Sequence, residues 1–508
     1  MIENLLHQTA WLGDLQKNAN GHFSARVEID DFIETVNFLK EDLQFLILFN
    51  HYVLNENSLG PKLYLDLYNP LDQAFLCLEI KARVEKPFLE LKDTWKNLAL
   101  FEHEARDLNG ISYKRVVDPV HFFSGTDNKN KNLSEKRLLP HRPLKDLGKF
   151  PRNIDHYHCS NPQLWGSQLL LDMDLQTIYQ SVYFYGLHHR GIETSLVGDN
   201  LDQLRARLST VNPAAAYSYD LGLIWGIEKQ LGIKIPNRAL AIRMLLIELE
   251  RMISHLSVLK GWAHEVADEK SFEGLSNIHR QLKFLLLQTA SKGLVFCPGG
   301  IIGELDRSWI EVAFRLFKKI EPELKKLESK IQQNSSTLAL NSVAKINLKD
   351  CIDWGCSGPV ARASGVRLDW RAMDDFGLYR EVDFYPILLK DGTTMDRLML
   401  RLLEVEQSRN ILVQLLENLP LNQSFSHGFN DQNIDYSNLS LKTTFESPEG
   451  LIQLCFNFDN ESKIKFGRIV GPSYSNTQLM NEKLKGVQLR DLELVMVGFN
   501  PCNTEIDR

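Results

Sequence analysis

The sequence predicts an α+β chain: a small N-terminal α/β module, then a large, mostly helical bundle domain with flanking strand and β-hairpin segments. Three observations predict it. Up to about residue 123, amphipathic helical text alternates with short strand-like runs. From about 236 to 418, long segments carry apolar residues at helical spacing. After that, 438-NLSLKTTFESPEGLIQLCFNFDNESKIKFGRIVGPSY-474 reads as short strands with a hairpin.

The elements follow in order. In the first module, covering 1–123, the acidic amphipathic run 30-DDFIETVNFLKED-42 predicts a helix. It precedes the strand-like 44-QFLILFNHYVLN-55, 62-KLYLDLYN-69 and 74-AFLCLEIKARV-84. The segment 90–111 predicts a helix that stops at Asn109-Gly110, a natural left-handed cap. Residues 124–152 are polar, basic and proline-bearing, and form an irregular connector. The third region, 153–508, opens with strand-like text at 168–186. The helix at 236–262 has Pro236 at its first position and is apolar around most of its circumference, so it belongs inside a bundle. Further helices fall at about 272–293, 307–334 and 394–418, with a turn-rich interruption at 351–375.

Composition narrows the function. The chain has 508 residues, 44% hydrophobic and 24% charged, with a net charge of −7. That balance argues against a general nucleic-acid binder. No apolar run is long enough to span a bilayer, and no signal peptide is visible, so the expected location is cytoplasmic. The seven cysteines are scattered with no C-x-x-C pair, which argues against a self-contained zinc or iron–sulfur site. There is no G-x-G-x-x-G after a strand and no P-loop, so no direct NADH site is expected.

Several blocks then carry a resemblance. The runs 186-GLHHRGIE-193, 226-GIEKQLGIKIPNRALAIRMLLIELERMISHL-256, 355-GCSGPVARASGVRLDWR-371, 391-DGTTMDRLMLRLLEVEQS-408 and 500-NPCNTEIDR-508 resemble the D subunit of respiratory complex I. They are equally similar to the large subunit of membrane-bound, energy-converting [NiFe] hydrogenases. The runs 95-WKNLALFEHEARDLNGISY-113 and 137-RLLPHRPLKDLGKFP-151 resemble the C subunit of complex I. The resemblance implies a fused C/D chain, peripheral on the cytoplasmic membrane through membrane-arm partners. It implies docking to a small subunit, like the B subunit of complex I, that carries the iron–sulfur cluster. It implies a quinone bound at that subunit interface, with electrons arriving from NAD(P)H or ferredoxin.

The residues qualify this. The positions where the hydrogenases hold nickel and iron through four cysteines align with Asn212, Ala215, Cys502 and Glu505, so no nickel is expected. The tyrosine that holds quinone in complex I aligns with Pro213. His158 and Tyr217 are candidate substitutes. Arg190 and His188, in the turn that lies near the partner's cluster in the family, are candidate cavity or cluster-proximal groups, as are Arg362 and Arg367. The family's acidic residue after the S-H-L helix aligns with Glu265, which with His255 and His264 forms a candidate proton relay. The alternative for Glu265 and His264 is a solvated pair at a helix end; for Glu248, Arg251 and His255 it is an ion-pair set steadying a buried helix. Two functions remain open: a quinone-reducing subunit, or a metal-free scaffold and conformational coupler in an ion-translocating complex.

Overall fold

The computed structural model describes residues 2–9, 11–17, 22–56, 60–81, 88, 91, 94–111, 113, 153–158, 166–186, 189–291, 293–333, 340–419 and 434–508. The connector at 124–152 and the run 137–151 lie outside these.

The N-terminal part starts with helix α1 (Ile2–Gln8) and builds a five-stranded sheet from β1 (Gly13–Lys17), β2 (Phe23–Val27), β3 (Ile47–Glu56), β4 (Gly60–Asn69) and β5 (Ala74–Lys81). The order is β1-β2-β5-β4-β3, antiparallel except for the parallel β2–β5 pair. Helix α2 (Phe32–Glu41) makes the β2–β3 crossover and buries Phe32, Thr35, Val36 and Leu39, one face at helical spacing. Helix α3 (Leu98–Asn109) packs on β3 and stops at Gly110, whose φ of 69° needs no Cβ. It begins later than the periodicity suggests. The Trp95 indole donates to Leu46 O at 3.1 Å and Asn97 Nδ2 to Leu48 O at 2.8 Å, so these residues brace the sheet edge instead of opening the helix.

Next comes a three-stranded antiparallel sheet, β6 (Asn153–His158), β7 (Gln168–Asp174) and β8 (Thr177–Tyr183). The strand-like run at 168–186 is thus a hairpin, turning at Leu175 with φ 57°. Helices α4 (Ile192–Ser195), α5 (Leu201–Val211), α6 (Ala216–Leu231), α7 (Asn237–Glu265) and α8 (Glu269–Ser291) follow. Then come the small hairpin β9 (Val295–Cys297) and β10 (Gly300–Ile302), and α9 (Arg307–Gln333). The turn-rich segment holds the short helices α10 (Leu348–Asp353) and α11 (Gly358–Ala363), and α12 is Thr394–Glu417. The chain continues through β11 (Ser440–Ser447), β12 (Gly450–Phe458) and β13 (Ile464–Val470), then α13 (Pro472–Lys483), α14 (Leu492–Phe499) and α15 (Asn503–Ile506).

Helix α7 is the axis of the bundle, flanked by α8, α12, α14 and α6. Pro236 is its N-cap, with ψ 142°, one position earlier than expected: an extended residue there lets the helix start at Asn237. Helix α6 lies on β11 through Gly222 and Gly226, one turn apart. A Cβ on Gly226 would stand 2.7 Å from Thr443 Cβ, and one on Gly222 3.0 Å from Phe445 Cβ. Glycine in DLGLIWGIEK is therefore a packing requirement.

Buried ion pairs join the N-terminal sheet to the rest. Lys442 on β11 pairs with Asp66 on β4. Glu104 on α3 receives Arg468 at 2.7 Å, Arg508 at 3.0 Å and the Tyr474 hydroxyl at 3.0 Å. Burial pushes the Glu104 carboxyl up, and the two guanidiniums more than reverse this, holding it at about 2 against an ordinary 4.5. Glu104→Ala should leave two buried guanidiniums sharing one acid, Glu193, and cost about 3–5 kcal/mol in urea unfolding. Because the folded value lies below the unfolded one, this contribution is full above about pH 4.5 and fades as pH falls towards 2. The acid-unfolding midpoint should accordingly be less steeply pH-dependent in the variant. Gly226→Val should cost about 1–3 kcal/mol by overpacking against Thr443.

Candidate functional site

The site begins where α5 stops. A capping box of Asn200 and Gln203 starts that helix. The residue before proline avoids the helical region, and Asn212 accordingly adopts φ −137°, ψ 99° ahead of Pro213. Residues 212–215 form a loop whose Pro213 and Ala214 are exposed while Asn212 and Ala215 are buried.

Helix α15 brings the chain's last residues under this loop. Glu505 Oε1 accepts from Asn212 Nδ2 at 3.1 Å and from the Tyr219 hydroxyl at 2.8 Å; Oε2 accepts from Ser473 N at 2.9 Å. Gly471 makes room for it: a Cβ there would lie 2.2 Å from Glu505 Cδ. Two of the four positions that align with metal-binding cysteines thus hold a closed amide–carboxylate pair. Ala215 offers only a methyl. The Cys502 sulfur sits 3.4 Å from the Thr504 hydroxyl, and burial pushes its thiol up to about 12, so it stays protonated. This donor set does not fit nickel, which needs thiolates here. Among the described residues, no group of three or more His, Cys, Asp or Glu is placed to hold a metal.

Arg190 ties the two stretches together at the surface. Its Nη2 donates to Thr210 O at 3.0 Å and Thr504 O at 3.1 Å, and Nη1 to Thr210 Oγ1 at 3.3 Å. Tyr217 lines an open cavity of about 330 Å³ between α5 and α6, with Asp202, Arg205, Ser209 and Asp220. Arg205 is fixed there by Asp220 at 2.6 and 2.9 Å and by Phe296 O at 2.8 Å. Arg190 and Tyr217 are therefore both beside the loop. The side chain of His158 and the whole of His188 lie outside the described residues.

Beneath the loop is a residue that the sequence pattern does not single out. Glu250, buried on α7, accepts from Tyr217 N at 2.7 Å, Ser218 N at 2.9 Å and Ser218 Oγ at 2.6 Å. It caps the first turn of α6, whose N–H groups have no partner within the helix. Burial pushes its carboxyl up to about 7. The available signal was an acidic residue on a helix otherwise apolar all round; its partner is backbone, which no side-chain pattern reveals.

The other candidates separate. His264 and Glu265 pair at 3.1 Å at the end of α7, with His264 about half exposed. His255 is fully buried and bonded to Glu404 at 2.8 Å. Nine residues apart on one helix, His255 and His264 are separated by about 13 Å and face opposite sides, so the three residues do not form a contiguous relay. Arg362 is fully buried, held by Glu404 at 2.7 Å and Glu446 at 2.8 Å; it faces the bundle interior and not an open cavity. Arg371 and Asp369 are buried with it, and Arg367 alone of these is exposed.

The fold is similar to that of a solved chain. Over 70% of this chain and 98% of the other, it superposes on a chain of the membrane-bound sulfane sulfur reductase, an archaeal respiratory membrane complex, with a TM-score of 0.65 at 21% identity. Residues 292–436 match the family of the respiratory-chain NADH dehydrogenase 49 Kd subunit. The chain is 26% identical over 369 residues to the H subunit of the chloroplastic NAD(P)H-quinone oxidoreductase of Psilotum nudum, covering 67% of this chain and 93% of that one. It is 25% identical over 342 residues to the D subunit of the NADH-quinone oxidoreductase of Desulfotalea psychrophila, covering 66% and 92%. The chain is a homologue of these D and H subunits. Among the described residues, no helix is long and apolar enough to cross a membrane.

Glu505→Ala should leave three buried donors unmet and lower the thermal midpoint by several degrees, about 2–4 kcal/mol. Glu505→Gln, which keeps one acceptor but adds donors facing Asn212 or Ser473, should cost less; equal losses in thermal unfolding would contradict the pairing.

Proposed function

We propose that this chain is a fused C/D-type subunit of a complex I-like oxidoreductase, with residues 1–123 as the C-type module and 153–508 as the D-type domain. Its site would form one wall of a quinone cavity and dock an iron–sulfur subunit, with membrane-arm partners beyond. Electrons would come from NAD(P)H or ferredoxin through other subunits, and the isolated chain would be inactive. One observation carries this reading. The lip formed by Arg190, Thr210, Pro213 and Thr504 faces outward, beside an open 330 Å³ cavity, which leaves its outer side for a second chain to close. The relatives' names, all quinone oxidoreductase subunits, support the ligand class.

In this reading Tyr217 lines the cavity and Arg190 stands on the lip beside it, and both offer hydrogen-bond donors to a quinone carbonyl. Glu265 and His264, paired at a solvent-facing helix end, are the acid–base group for protons entering from outside. A second reading, a metal-free scaffold that couples conformational change to ion translocation, has its own support. The loop residue best equipped to donate, Asn212, is already engaged by Glu505, and Pro213 has no donor at all.

The two separate in the purified complex. Arg190→Ala and Glu265→Gln should each cut quinone reductase turnover about ten-fold or more if the cavity works; unchanged turnover in both favours the coupler. Metal analysis should find nickel far below one per chain, and stoichiometric nickel would overturn both readings.

A further inference from the structure

Behind the site, α7, α11, α12 and the β11–β12 turn enclose ionisable side chains bonded into one continuous line. At one end Glu248 accepts from the Tyr379 hydroxyl at 2.5 Å, Ser408 at 2.5 Å and Arg371 at 3.2 Å, with Arg251 at 3.4 Å. Arg371 grips Asp369 at 2.7 and 2.9 Å, and Asp369 lies 3.6 Å from Arg362. Arg362 joins Glu446 at 2.8 Å and Glu404 at 2.7 Å. Glu404 meets His255 Nε2 at 2.8 Å, and His255 Nδ1 meets Arg401 at 3.2 Å. Arg401 grips Glu449 at 2.6 and 2.9 Å, and Glu449 is also bonded to Ser254 at 3.0 Å and to Asn500. Asn500 stands two residues before Cys502, so the line ends at the candidate site.

The charges on this line do not balance. Its carboxylates are Glu248, Asp369, Glu404, Glu446 and Glu449; its guanidiniums are Arg251, Arg362, Arg371 and Arg401. The next charged neighbours do not correct this. Asp374 and Lys229, which pair at 2.8 Å, add one of each sign, and so do Glu250 and Arg397 once Glu250, pushed up to about 7, is ionised. Arg397 is held by Thr394 Oγ1 at 2.6 Å and by the carbonyls of Gly392 and Ala344, not by an acid. A buried net charge is costly, and taking up one proton removes it.

We propose that this cluster stores one exchangeable proton, shared between Glu446 and the His255–Glu404 pair, and serves as a proton-loading site for the candidate cavity. Burial pushes the Glu446 carboxyl up and the His255 ring down, so Glu446 is the resting seat. A cavity of about 10 Å³ beside Glu446 and Arg371 is walled mainly by Ile247, Trp370, Phe376 and Phe445, an apolar surround that favours the neutral carboxyl. When the proton moves, it leaves Glu446 and binds His255 Nδ1, which Arg401 must first release while it keeps its grip on Glu449; the imidazolium's Nε2–H stays on Glu404, and Glu446 remains paired with Arg362. No electron changes place. Storage stands on the cluster alone; delivery to the cavity rests on the quinone reading above.

Infrared difference spectra of the full-length protein test the storage. In a Glu250→Gln background, which removes the other buried glutamate whose carboxyl is pushed up, a buried carboxylic C=O band should persist at neutral pH, shift on labelling with [13C]glutamate, vanish in Glu446→Gln and remain in His255→Gln. Absence of a glutamate-sensitive band in the wild type, or its persistence in Glu446→Gln, overturns the proposal; the labelling decides even if a variant does not fold. In the purified complex, Glu446→Gln should lower quinone reductase turnover at alkaline pH about ten-fold with KM unchanged. An unchanged pH profile overturns delivery. A wild-type complex with the band but no quinone reductase activity would instead remove the cavity reading and leave the stored proton in place.

Discussion

The structure depends on one constraint: α7 is buried on nearly every side, yet it carries Arg243, Glu248, Glu250, Arg251 and His255. Water cannot solvate these groups, so each must be met from inside the chain. Arg243 takes Glu228 of α6 in a two-point grip at 2.6 and 2.8 Å and the carbonyls of the β9–β10 turn. Glu250 takes the N-terminus of α6. Glu248, Arg251 and His255 draw in α11, α12, β11 and the segment at 369–379. The turn-rich region 351–375 owes its order to this demand, since its arginines and Asp369 are partners for α7 and α12. Such pairs add little net stability over apolar packing, but removing one member is severe. They fix how the elements meet.

The same logic explains the floor of the site. A carboxylate at 505 is tolerable because Asn212, Tyr219 and Ser473 all donate to it. Of the four positions aligned with metal-binding cysteines, Asn212 and Glu505 satisfy each other. Arg190 then closes the lip by joining Thr210 to Thr504. A pocket whose inner wall is saturated and whose outer side is open selects for a ligand or partner that binds from outside.

Much of the fold was legible in the sequence. The amphipathic α2, the long helices at 269–291, 307–333 and 394–417 and the hairpin at 440–458 follow from periodicity, turn residues and caps. Helix α13, PSYSNTQLMNEK, was not legible. Its serines, Asn476, Thr477 and Gln478 are buried beside its apolar residues, so it shows no stripe. At the site, the substituted positions 212, 215, 502 and 505 were readable from the family pattern; the ion-pair set of Glu248, Arg251 and His255 was readable from their helical spacing, but its partners, drawn largely from other elements, were not. The Asn212–Glu505 bond was not, because 293 residues separate the partners. Nor was the separation of His255 from His264 and Glu265, although two and a half helical turns between them implied it.

Whether the outward lip at 210–217 and 502–505 forms the wall of a quinone site is open to a direct measurement by photolabelling. The purified complex would be irradiated with an azido-quinone and the labelled peptides of this chain sequenced. Label is expected on the peptides holding Thr210–Tyr217 or Cys502–Glu505, suppressed by excess unmodified quinone. Label confined to other surfaces, or none competed away by quinone, would contradict a quinone wall at this lip.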